Sequence, residues 1–254
     1  EIPSRRAGRF DLVGFLAMTV GLSGLLLALA QGQSKGWDSG YVRACEGCAI
    51  IGLAVFVWWE LRQREPLVDL SLFRIPGFSI INLIALIFGV GMFGSTFLLP
   101  IFLQNMLGYP ALLAGLTLLP AGLVMGVVTP IAGRLSDRIG AKPLVMLGLA
   151  MMAFSMYLNS HINLQTSRET IYGWLVLRGI GMGLMFSPMT SLALGLVPRL
   201  RAGQASGLLN VIRQVGGSFG IAIFGTLLAR RQLFHAVRYA EAITAQNLSA
   251  LDLL

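Results

Sequence analysis

Charge is scarce in this sequence. Only 12% of its 254 residues are Asp, Glu, Lys or Arg, about half the share found in soluble domains. Hydrophobic residues make up 56% and the mean hydropathy is +0.76, so the chain cannot dissolve as a water-facing globule. Disorder is excluded too, because it needs low hydrophobicity and high charge. Cysteine is rarer still: Cys45 and Cys48 alone cannot staple a secreted domain of this size. The only histidines are His161 and His235. Eleven acidic residues are present and none lies in the middle of an apolar run, so a proton relay built on an intramembrane carboxylate has no residue in this stretch. No cleavable signal peptide is expected within these residues. The first residue is Glu1, in a polar basic stretch, which leads to the expectation of an internal portion of a longer chain.

What is present is a series of long apolar runs. A membrane-spanning helix needs about 20 mostly apolar residues. Seven segments qualify: 12–30, 42–59, 78–103, 111–132, 143–158, 171–197 and 205–229. They are continuously apolar rather than alternating, which favours helices over barrel strands. The expected fold class is therefore an all-α polytopic membrane protein in a lipid bilayer. The segment at 42–59 is the weakest, because Arg43 and Glu46 sit in its first turns. Residues 230–254 hold no further span and read as the start of an external loop. A net charge of +8 in a soluble protein would suggest nucleic acid; here the basic residues serve first as topology signals. Arg5, Arg6, Arg9, Arg62, Arg64, Arg74, Arg134, Arg138, Lys142, Arg199 and Arg201 collect on one side of the seven spans. That side is expected to be cytoplasmic, with Glu1 on it and the tail after Ala229 outside.

Two short patterns carry less than they suggest. Gly89-Val90-Gly91-Met92-Phe93-Gly94 matches a dinucleotide fingerprint, but that site needs a strand-to-helix turn and a downstream acidic residue. Mid-span glycines instead allow close helix packing. Cys45 and Cys48 form a lone C-x-x-C without the second pair or histidines that zinc requires. With no metal site and no catalytic set, an enzyme is not expected. The stretch Gly133, Arg134, Leu135, Ser136, Asp137, Arg138, Ile139, Gly140, Ala141, Lys142 between the fourth and fifth spans is more informative. Gly133 allows tight packing, and Gly140 can adopt a positive φ to reverse the chain. Asp137 among Arg134, Arg138 and Lys142 reads either as a conformational latch or as an ordinary basic cytoplasmic loop.

The pattern G-x-L-x-D-R-x-G-x-K over Gly133–Lys142 resembles the cytoplasmic loop signature of the major facilitator superfamily. The wider context is similar to its fourteen-span drug:proton antiporter branch, the EmrB/QacA type. Phe97–Asn105, Leu107-Gly108-Tyr109, Ala114-Gly115-Leu116 and Leu119-Pro120 carry this likeness. So do Arg178–Gly183 running on to Pro188, and Ala205–Asn210 with Arg213, Gln214, Gly216 and Gly217. The resemblance implies that residues 1–76 are a linker helix pair between two halves. It makes 77–229 the first five spans of the C-terminal bundle, and 230–254 the start of a loop before a missing last span. It also implies a bacterial plasma membrane and proton-coupled export of hydrophobic or cationic drugs by alternating access. The proton gradient would supply the energy and no cofactor would be needed. The partners would be a small-molecule substrate and the N-terminal half of the same chain, with no expectation about a periplasmic adaptor. Alternatives are export of a siderophore, sugar or metabolite, or a truncated half that moves nothing. A seven-span receptor conflicts with the cytoplasmic N-terminal side.

Arg178 and Arg213 are the charges buried within spans, and an arginine in hydrocarbon needs a cavity or a partner. Ser206, Asn210, Arg213, Gly217 and Gly220 fall on one helical face, which is expected to turn inward. Arg213 then reads as a cavity residue or as a snorkelling one. The other candidates for the cavity or substrate surface are Met92, Phe93, Thr96, Gln104, Met185, Pro188, Asn210 and Gln214.

Overall fold

The computed structural model describes residues 11–63, 69–163 and 165–242. Seven helices account for most of it: α1 (Leu12–Lys35), α2 (Gly40–Glu60), α3 (Pro76–Asn105), α4 (Ala111–Ile139), α5 (Ala141–Asn159), α6 (Arg168–Gly195) and α7 (Ala202–Ala242). Short 3₁₀ turns at Leu70–Arg74 and Arg199–Arg201 precede α3 and α7. All seven helices are long and apolar enough to cross a membrane. No strand occurs among the described residues.

The helix ends are written in local chemistry. Asp11 caps α1 by accepting from the Gly14 amide at 3.0 Å, and Ser39 caps α2 by accepting from Val42 at 3.3 Å. Ser167 does the same for α6 through the Thr170 amide, and Pro76 opens α3 where its missing N–H is harmless. Gly140 breaks α4 from α5 at a φ of 86°, a value that only glycine adopts freely. The Arg43 and Glu46 positions that weakened α2 are tolerated at its mouth, where Arg43 pairs with Asp38 at 2.9 Å in the open.

Two helix ends differ from the sequence reading. Gly133–Ile139 continues α4 as helix, so the turn itself is confined to Gly140. The stretch after Ala229, expected to begin a loop, stays helical as far as Ala242. In both places the apolar run ends before the helix does, because charged residues in water do not break a helix. The expected tail beyond Ala242 and the basic residues Arg5, Arg6, Arg9 and Arg64 lie outside the described residues.

Packing is pairwise. α1 lies against α2, α3 against α7, α4 against α6 and α5 against α6, and α1 also touches α7. Small residues let the backbones meet, as expected in lipid where apolar burial gives little drive. A Cβ on Gly52 would stand 2.6 Å from the Gly21 nitrogen, and one on Gly179 would stand 2.5 Å from the Ala121 carbonyl oxygen. Along the α3–α7 seam Gly89, Gly216 and Gly220 each press on the facing backbone. Gly89 and Gly94 of the fingerprint-like pattern are thus packing residues. One buried cluster around Phe78, Phe88, Met182, Met185 and Met189 fills the half near the start of α3. A smaller one around Leu99, Leu103, Ile171 and Leu175 fills the opposite half.

Candidate functional site

The antiparallel run of α6 and α7 brings Arg213 beside Phe186. The guanidinium carbon lies 4.1 Å from the ring centroid, and the same group donates to the Asn210 side-chain oxygen. Arg213 is half-buried, while Asn210 and Gln214 are exposed. Arg213 sits eleven residues into α7, about 16 Å along its axis, near the middle of a hydrocarbon layer of about 30 Å. Unpaired carboxamides at that depth would cost several kcal/mol against lipid. This face therefore turns toward water or protein. The expected stripe divides: Gly217 and Gly220 close on α3, whereas Asn210 and Gln214 stay open.

Arg178 has a different environment. Only 4% of it is exposed, and its Nη1 donates to the Ser95 hydroxyl of α3 at 3.0 Å. The Ser95 hydroxyl in turn donates to the Met92 carbonyl oxygen at 3.1 Å. Arg178 borders a largely apolar cavity of about 620 Å³ between α3, α5 and α7, lined by Leu98, Phe102, Met156, Phe224 and Leu228 among others. Phe186 and Arg178 share α6 but stand eight residues apart, about 12 Å.

Several candidates lie elsewhere. Met185 is fully buried and Pro188 is buried in α6, so neither lines a surface. The Phe93 ring fills the space beside Gly217, in the α3–α7 seam. Met92 packs against the larger core cluster. Thr96 is exposed, but its hydroxyl bonds back to the Met92 carbonyl at 2.7 Å. Gln104 is exposed in the last turn of α3.

At the end of the molecule where α4 meets α5, Arg134, Asp137, Arg138, Gly140 and Lys142 are all exposed. Gly133 sits against Ser187 of α6, whose hydroxyl a Cβ would approach to 2.9 Å. The sequence reading missed a charge pair at the same end. Arg201 contacts Asp69 at 2.6 Å and also reaches the Ser71 hydroxyl at 3.3 Å, joining the starts of α3 and α7. An Asp two residues before a Ser, directly ahead of a helix, was the available signal, since Asp69 also caps the 3₁₀ turn.

Residues 3–221 match the sequence profile of the Major Facilitator Superfamily. The chain belongs to this superfamily. Transporters of this superfamily are not enzymes, and the seven spans form part of the fold. Curated relatives include the multidrug resistance protein Stp of Mycobacterium tuberculosis, 35% identical over 230 residues, 90% of this chain and 42% of Stp. The multidrug transporter protein MdtP of Bacillus subtilis is 31% identical over 93% of this chain and 45% of its own length. The fatty acid resistance protein FarB of Neisseria gonorrhoeae is 31% identical over 92% of this chain and 46% of its own length. The superfamily chain described here thus spans less than half the length of these relatives.

Proposed function

We propose that this chain is part of an exporter of hydrophobic, amphipathic small molecules, a multi-pass protein of the bacterial plasma membrane. The observation that carries the reading is the open polar face within the span of α7, where Arg213 lies beside Phe186 and bonds Asn210, and Asn210 and Gln214 are exposed. A substrate surface in a transporter lies near the bilayer midplane, and relatives named for multidrug and fatty acid resistance support export. The fourteen-span antiporter branch is the finer assignment. In it α1 and α2 form the linker pair, α3–α7 belong to the C-terminal half, and the Gly133–Lys142 end faces the cytoplasm. Proton coupling belongs to the same reading, with its carboxylate outside this stretch. Cationic cargo rests on the resemblance alone, because α3–α7 place no carboxylate at mid-span.

The direct test is ethidium efflux from an efflux-deficient bacterium expressing the full-length gene. Efflux above the empty vector that collapses with a protonophore is expected; accumulation equal to the vector control overturns the reading. The exposed Asp137 with Arg134, Arg138 and Lys142 is assigned to a cytoplasmic latch against the other half. Asp137→Asn should lower efflux several-fold with unchanged membrane insertion on immunoblots, and full efflux in that variant removes the latch.

A further inference from the structure

Acidic residues are scarce from α3 to the part of α7 that precedes Glu241. Between Pro76 and Ala240 the only acidic residues are Asp137 and Glu169, set against eleven Lys and Arg. Both acids sit in end turns, Asp137 near the close of α4 and Glu169 in the first turn of α6. Arg213 is thus the charge at mid-depth on the open face, with no carboxylate of α3–α7 at its level.

Its geometry suits an anion. The guanidinium carbon lies 4.1 Å from the Phe186 ring centroid, and the group also donates to the Asn210 side-chain oxygen. A guanidinium offers five N–H donors in a rigid fork matched to a carboxylate, and the bond to Asn210 uses one of them. Asn210 and Gln214, three residues before and one after Arg213 on α7, are exposed and carry amide donors of their own. Phe186 and the surrounding aliphatic helix faces provide an apolar bed next to this head site. A cation placed here would meet Arg213 directly, and the like-charge repulsion is strong where water is excluded.

We propose that this face docks the anionic end of an amphipathic substrate: a carboxylate engaged by Arg213, with the apolar body laid along α6 and α7. The proposal rests on the export reading above and names the substrate class of that same site. It assigns Arg213 to substrate selection, and it leaves Arg178, tied to Ser95 across the α3–α6 contact, outside the substrate surface.

The test uses the full-length protein in nanodiscs for binding and in proteoliposomes for counterflow. The probes are phenylbutyrate and phenylbutylammonium, equal in body and opposite in charge. The wild-type protein should bind the acid at least about tenfold more tightly than the amine, the scale of one charge-assisted contact. Arg213→Gln should erase that preference without moving the thermal midpoint, and Arg213→Lys should keep part of it. Phe186→Leu, which removes the stack but no charge, should weaken acid binding by a smaller factor and serves if Arg213→Gln does not fold. Equal binding of the two probes, a preference for the amine, or an acid preference that survives Arg213→Gln overturns the proposal. Selective acid binding without counterflow overturns the export reading alone. Counterflow with no charge selectivity overturns this inference alone.

Discussion

Two arginines lie within the spans, about 12 Å apart along α6, and their surroundings differ. At the α3–α6 contact, Arg178 is enclosed and bonded to Ser95 of the neighbouring helix. On the open α6–α7 face, Arg213 is half-buried, and its partners are Asn210 one turn away and the Phe186 ring. A charge bound across helices ties them together, and removing it deletes that cross-helix bond. A charge bound within one face is held in place but remains available. Burial and the identity of the partner separate the two arginines here, where residue type does not.

The contrast can be broken most forcefully at the seam itself. Gly216→Val would drive a branched side chain into the Leu86 backbone, where no side chain can yield. A loss of more than about 3 kcal/mol is expected, seen as failure to recover monodisperse full-length protein. Arg178→Ala should come next, at about 2–4 kcal/mol, from the cavity left behind and the lost bond across the α3–α6 contact. A lowered thermal midpoint with the transport selectivity of the folded fraction unchanged is the expected pattern; a selectivity change would erase the contrast. Asp69→Asn should cost about 1 kcal/mol, since Arg201 is half exposed at that pair. Its destabilisation should shrink in high salt. The smallest effect belongs to Arg213→Gln, whose thermal midpoint should stay within the equivalent of about 0.5 kcal/mol of the parent while substrate preference shifts.

The seven spans were legible because apolar runs of that length have one stable solution in lipid. The helix ends were less so. Gly133–Ile139 and Arg230–Ala242 are helical although polar, and hydropathy reports where lipid ends, not where a helix does. Burial within the bundle was the hardest to read. Met185 and Met92 looked like pocket residues, but one is fully buried and the other packs on the core. A membrane helix is apolar on the side facing its neighbours and on the side facing lipid, so hydrophobic period gives it no phase. What marked the faces were the exceptions: glycines at Gly89, Gly216 and Gly220, and polar groups at Asn210 and Arg213. The partner of Arg178 could not be read at all, because Ser95 is 83 residues away in sequence.

The glycine seam between α3 and α7 also limits how this part of the molecule can move. Backbones that touch at Gly89, Gly216 and Gly220 mesh like the teeth of two racks, and a slip by one residue would bring side chains against main chain. The Asp69–Arg201 pair pins the same two helices at their starts. α3 and α7 are therefore locked as a single plate, and any relative movement of the helices has to be taken up at the plate's margins.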